Sequence, residues 1–168
     1  MLLVQTVTIL IILQRLSELV LSARNMRRAL ARGGVEHGRE HYWMFVVLHT
    51  GWLLGMNVEW YLGSQTLPTL WPWLSICAVL LQVARYSVIW SLGEAWNTRI
   101  ITWPGMNVVQ HGWYRYVRHP NYLIVALELV LIPMIVGCFV TSIVATLANA
   151  AVLLLVRIPA EERALEIR

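Results

Sequence analysis

From Tyr122 to Val156 the chain is almost wholly apolar, and three more long apolar stretches precede it, at 2–23, 42–62 and 67–92. About 20 mostly apolar residues let a helix cross the hydrocarbon core, and a helix satisfies its own backbone where no water is present. Arg15 and Glu18 interrupt the first stretch. Pro133 and Gly137 mark a break in the last, which divides into two tightly joined helices of about 17 residues each. The expected architecture is all-α: about five transmembrane helices in one domain, the last two a hairpin. Residues 1–92 would supply three helices and 93–168 the more polar half.

Composition agrees with a lipid environment. Hydrophobic residues make up 58% of the 168 and charged residues 13%, where soluble domains carry about a quarter. Mean hydropathy is +0.62. A soluble enzyme, a disordered tail and a disulfide scaffold are therefore excluded. All 13 basic residues are Arg and all nine acidic ones Glu, for a net charge of +4. That charge suits an anionic membrane face and not nucleic acid, given so much apolar sequence. Cys77 and Cys138 sit singly in apolar stretches and read as small buried hydrophobes.

The arginines set the orientation. They cluster at Arg24, Arg27, Arg28, Arg32 and Arg39, then at Arg99, Arg115 and Arg118, and last at Arg157, Arg163 and Arg168. Five crossings put all three clusters on one side, the cytoplasm by the positive-inside rule. A signal peptide wants its charge before the apolar core; here Leu2-Leu3-Val4 lead and the arginines follow, as in a first transmembrane helix of an inner-membrane protein.

Polar groups within the spans are costly and face a protein interior. Arg15 and Glu18 lie three apart on one helix face and are expected to pair. Glu59, Arg85 and Glu128 are read as structural partners, and Gly51 with Gly55 as a close-approach face for another helix. His49, in mid-span, reads as a satisfied core histidine.

Chemistry concentrates between Gly93 and Tyr122 and again over Arg157–Arg163. Pro120 is suited to a first helical turn, which places His119 at the mouth of the fourth span. Unpaired N–H groups at such a start meet anionic groups, and Tyr114 and Tyr122 offer flat faces to a heteroaromatic ring or a cation. Trp113 and Tyr116 read as an interfacial belt. Arg157 and Glu161 would share a face if the helix runs through Pro159. No dinucleotide fingerprint, phosphate loop, nucleophile elbow or zinc motif occurs, and the five histidines are too scattered for a metal.

Gly112-Trp113-Tyr114, then Arg118-His119-Pro120-Asn121-Tyr122, then Arg157 and Glu161-Glu162 after an apolar hairpin resemble the isoprenylcysteine carboxyl methyltransferase family. Gln14-Arg15-Leu16-Ser17-Glu18-Leu19, Ala31-Arg32-Gly33-Gly34-Val35-Glu36 and His41-Tyr42 with His49 resemble a bacterial branch that methylates alkylpyrones or alkylresorcinols beside type III polyketide synthases. The resemblance implies S-adenosylmethionine as cofactor, contacted by Met106, Asn107, Val108 and Val109, by Tyr114, and by His119, Pro120, Asn121 and Tyr122. It implies Glu161, or its neighbour Glu162, as cofactor-binding acid and Arg157 as the catalytic residue facing the methyl acceptor. Leu123 and Ile124 follow where the family commonly has a glycine.

The implied activity is O-methylation of a lipophilic small molecule by an integral membrane enzyme with a cytoplasmic pocket. Methylation of a prenylated cysteine carboxylate is the alternative within the family. An NADPH-dependent membrane reductase is the alternative from another class, because sterol reductases share the Arg-His-Pro element, and a non-catalytic membrane scaffold is a third. An acidic enol or a carboxylate needs no base near neutral pH. A resorcinol hydroxyl, like tyrosine's at about 10, does, and His49 and His119 are the candidate proton acceptors.

Overall fold

A computed structural model describes residues 2–63 and 66–165; Arg168, used above for orientation, lies outside them. The chain is predominantly helical: α1 Leu2–Ala31, α2 Tyr42–Leu62, α3 Trp71–Leu92, α4 Pro120–Ile135, α5 Phe139–Val152 and α6 Ile158–Ala164. Three helical stretches among the described residues are long and apolar enough to cross a membrane: Leu2–Ala31, Trp71–Ala95 and Phe139–Ala164. α4, with 16 residues, is a shorter apolar helix. α1 outruns its expected end at 23, carrying Arg24, Arg27 and Arg28 on two further turns. It stops at a glycine pair. Gly33 takes φ +80°, and the N–H groups of Gly33 and Gly34 bond the carbonyls of Leu30 and Ala29, which satisfies the helix end.

The all-α expectation missed one element. Val35–His37 (β1) and Ile100–Thr102 (β2) pair antiparallel, with Glu36 opposite Ile101. Three-residue strands leave no periodic signal in a sequence, and pairing partners 65 apart are set by tertiary contact.

The polar ends of the elements meet. Arg28 and Arg32 hold Glu94, at 3.0 and 2.6 Å. Arg99 pairs with Glu36 across the strands. Arg157 reaches Thr98, so all three arginine-rich segments lie at one end of the helices. At the other end Gly137 packs against Pro68, and Glu59 accepts from the N–H groups of Val140 at 2.9 Å and Thr141 at 2.6 Å. Glu59 thereby caps α5 from α2, a role its position in an apolar run did not announce.

Among the helices the ionisable groups neutralise one another. Arg85 (α3) grips both oxygens of Glu18 (α1), one at 2.6 Å, and donates to Glu128 (α4) at 3.1 Å. Arg15 joins Glu18 at 3.0 Å to Glu128 at 2.6 Å. Gln14 and Gln82 complete the lattice. Two cations and two anions on three helices satisfy what lipid would not. The apolar core around Trp52, Met56, Trp60 and Leu129 packs beside it. Gly55 sits against Thr141 of α5, where a Cβ would come within 3.3 Å of the hydroxyl. Gly51 has open space, so only half of the expected glycine pair serves helix contact. Cys138 is buried and donates to the Met56 carbonyl, whereas Cys77 is exposed, contrary to the expectation for it.

Candidate functional site

Two local features bring the distant motifs together. Pro120, with its φ fixed and no N–H to leave unpaired, opens α4 directly after His119. At the other motif Pro159 cannot donate to the carbonyl four residues back. The helix widens into one π-helical turn, Leu153–Arg157, and continues as α6. Arg157 and Glu161 thus stay on one continuous helical path, although a proline lies between them.

Tyr122 joins them. Arg157 Nε donates to its hydroxyl at 2.9 Å, and the hydroxyl donates to the Glu161 carboxylate. Arg157 Nη2 donates to the Thr98 carbonyl at 3.0 Å, and the guanidinium lies 5.6 Å from the Phe45 ring centroid. Arg157 is 5% exposed, and its Nη1 bonds no other described residue. The His119 ring stacks on Tyr122 at 5.5 Å and 17°, and its Nε2 meets Glu162 at 3.2 Å. His119 and Glu161 are therefore one residue contact apart in space, and 42 positions apart in the chain.

A cavity of about 640 Å³ opens beside this chain of contacts, well within the range of small-molecule sites. Met106, Val108, Val109, Tyr114, His119, Asn121, Tyr122, Arg157 and Glu161 all line it. Asn107 and Pro120 lie outside its lining. Glu162 stands behind the wall, holding His119. Burial, with Glu161 nearby, pushes the Tyr114 hydroxyl well above its ordinary range, so it stays neutral. Sequence reasoning did not assign Trp96, Asn97, Arg99, Gln110 and Arg118 to the site, yet they also line the cavity. Arg118 stands in the Arg-His-Pro run; the others carry no motif, and only the polarity of their interval signalled them.

A second chamber, about 330 Å³, lies towards the helices. Its walls are mostly apolar, from Ile12, Leu16 and Leu19 of α1, Phe45, Val46 and Leu53 of α2, and Val125 of α4. His49 faces it, its Nδ1 2.9 Å from the Phe45 carbonyl. Trp96, Asn97, Asn121, Tyr122 and Arg157 line both spaces and form the partition between them. Two buried polar atoms of that partition, Trp96 Nε1 and Asn121 Oδ1, have no hydrogen-bond partner. Buried groups are normally paired, so among the described residues the partition keeps unmet hydrogen-bonding capacity.

The model of the isoprenylcysteine carboxyl methyltransferase family matches residues 73–167, which hold every residue of the larger cavity's lining. The chain is 38% identical over 159 residues to the uncharacterized protein YpbQ of Bacillus subtilis, covering 94% of this chain and 93% of that one. It is 25% identical over 154 residues to an uncharacterized protein of Haemophilus influenzae, covering 90% and 88%. No solved structure matches it. With more than half of its length under the family model and its arginine-rich, tyrosine-bridged pocket inside the matched region, the chain belongs to the isoprenylcysteine carboxyl methyltransferase family of membrane methyltransferases.

Proposed function

We propose that this protein is an S-adenosylmethionine-dependent O-methyltransferase whose acceptor is a lipophilic small molecule of the alkylpyrone or alkylresorcinol type. One observation carries the reading: a larger cavity that carries charged groups and a smaller, more apolar chamber share a single partition, and Arg157 is part of it. A transferase needs two reactants on either side of a line of transfer, and this arrangement offers a compartment for each.

The residues present fit the cofactor. Glu161 supplies an anion for an ammonium group, His119 supplies a donor for a carboxylate, and Tyr114 and Tyr122 supply ring faces; the opening turn of α4 adds little, because the Tyr122 and Leu123 N–H groups already donate to the His119 carbonyl. The unpartnered Trp96 Nε1 and Asn121 Oδ1 add a donor and an acceptor at the partition. When bound, S-adenosylmethionine supplies an electrophilic methyl group on a sulfonium sulfur.

Arg157 acts on the acceptor's side. Its buried guanidinium, held by Tyr122 and Thr98, presents Nη1 to an oxyanion and favours the ionised acceptor. For a phenolic acceptor His49 is the proton acceptor. A bond from Nδ1–H to the Phe45 carbonyl leaves Nε2 with a free lone pair beside the chamber. His119 is on the other side of the partition and is engaged by Glu162. Excluding water from the chamber strengthens the attraction between oxyanion and guanidinium. Holding both reactants aligned is worth up to about 7–11 kcal/mol.

In this reading the protein is a single methyltransferase domain with five crossings, α2 and the short α4 completing the three long spans. The arginine-rich end faces the cytoplasm of a bacterial inner membrane. An alkyl tail gains about 0.8 kcal/mol per CH₂ buried in the bilayer, which accounts for a membrane-borne site.

The test supplies purified protein with methyl-labelled cofactor and, separately, an alkylresorcinol, an alkylpyrone and a prenylated cysteine. Label in the first or second supports the proposal. Label in the prenylated cysteine alone replaces the acceptor. Retained NADPH with no affinity for S-adenosylhomocysteine overturns the methyltransferase chemistry.

A further inference from the structure

Among the described residues, Asn149 is the one side chain with two buried polar atoms that both lack a hydrogen-bond partner. It sits on α5, 1% exposed, and neither Oδ1 nor Nδ2 has a hydrogen-bond partner. Asn149 is one of the residues that border the apolar chamber, together with His49 and Arg157. An amide buried without partners destabilises the fold, and none of the contacts described so far gives it a role.

Its place along the helix defines what it could meet. Asn149 precedes Arg157 by eight residues on one helical path, so at about 1.5 Å per residue it lies about 12 Å further from the arginine-rich end. Long side chains on helices point back towards the N-terminus, so the guanidinium spans part of that interval. A ring whose reacting oxygen sits at Arg157 would carry its far side towards Asn149.

We infer that Asn149 is a specificity-determining residue that hydrogen-bonds a second oxygen of the acceptor, across the ring from the one that is methylated. The inference rests on the acceptor reading above and assigns a residue to the second oxygen of its dioxygenated ring, the oxygen that a simple phenol lacks. A primary amide suits both. Its Nδ2 donates to a ring carbonyl or hydroxyl, and its Oδ1 accepts from a hydroxyl. A site built to hydrogen-bond a substrate hydroxyl discriminates strongly against the analogue that lacks it, because its own polar groups are then left unpaired.

The test compares binding of 5-pentadecylresorcinol and 3-pentadecylphenol to the full chain in nanodiscs, followed by tryptophan fluorescence without cofactor. Both ligands partition into lipid alike in every sample, so the variant-to-native comparison isolates the chamber. The native protein is expected to favour the resorcinol about tenfold. Asn149→Leu should bring the two affinities within about twofold, mainly by weakening the resorcinol, while thermal stability holds or rises because an unpaired amide has gone. Asn149→Ala provides the same comparison should leucine overfill the site. A preference that survives both substitutions overturns the inference and leaves the acceptor reading standing. Failure of the native protein to bind either ligand, while it still binds S-adenosylhomocysteine, overturns the acceptor reading and this inference with it.

Discussion

Arg157 donates to the Tyr122 hydroxyl at 2.9 Å, and that hydroxyl in turn donates to Glu161. The cation that faces the apolar chamber and the anion that lines the larger cavity are therefore coupled through one phenol. Loss of any one of the three leaves its neighbours to find new partners in a buried setting.

Arg157→Ala is expected to lower kcat/KM by about 10- to 100-fold, the range for removing a hydrogen bond to a charged group. Arg157→Lys should restore little, because a point charge cannot serve Tyr122 and Thr98 from Nε and Nη2 together. Steady-state rates with saturating cofactor check both; unchanged turnover in Arg157→Ala would remove this residue from the reaction.

Glu161 and Glu162 should separate in a binding titration. Glu161 lines the cavity, whereas Glu162 acts through His119. Affinity for S-adenosylhomocysteine is expected to fall about tenfold or more in Glu161→Ala and by less in Glu162→Ala. Equal affinity in Glu161→Ala and the native protein would move the cofactor elsewhere.

The lattice between α1, α3 and α4 predicts an asymmetric stability response. Arg85→Leu leaves Glu18 and Glu128 sharing Arg15 and should cost about 3–5 kcal/mol. Replacing Arg85 and Glu18 together with apolar residues should cost much less, as charge balance returns. Thermal unfolding in one detergent compares the two.

The two glycines of α2 should differ. Gly55→Leu drives a side chain into Thr141 and is expected to cost about 1–3 kcal/mol, while Gly51→Ala meets open space and is tolerated. A reversed order in unfolding midpoints would contradict the α2–α5 packing.

Arg32, with Arg28 beside it, holds the Glu94 carboxyl below its ordinary value. A depressed folded pKa stabilises above the unfolded value near 4.3 and is lost as pH falls through that value and below. Unfolding followed from pH 6 downward should show this loss in native protein and a shallower response in Glu94→Gln. Because all three groups are exposed, added salt should flatten the difference.

Much of this molecule is written in local chemistry. Apolar run length determines the helices, proline position starts α4, and the glycine pair after Ala31 ends α1, because lipid and backbone geometry act residue by residue. The Arg-His-Pro-Asn-Tyr run and the late Arg157 and Glu161 are likewise legible where they stand. What they do together is not. The hydroxyl of Tyr122 shared by two charged groups and the capping of α5 by Glu59 depend on contacts between segments far apart in the chain. So do Trp96 and Asn121, whose unpartnered atoms take on meaning only once two cavities meet at them. Hydrogen bonds act over about 3 Å of space, whatever the number of residues between their partners, and only the folded chain sets that distance.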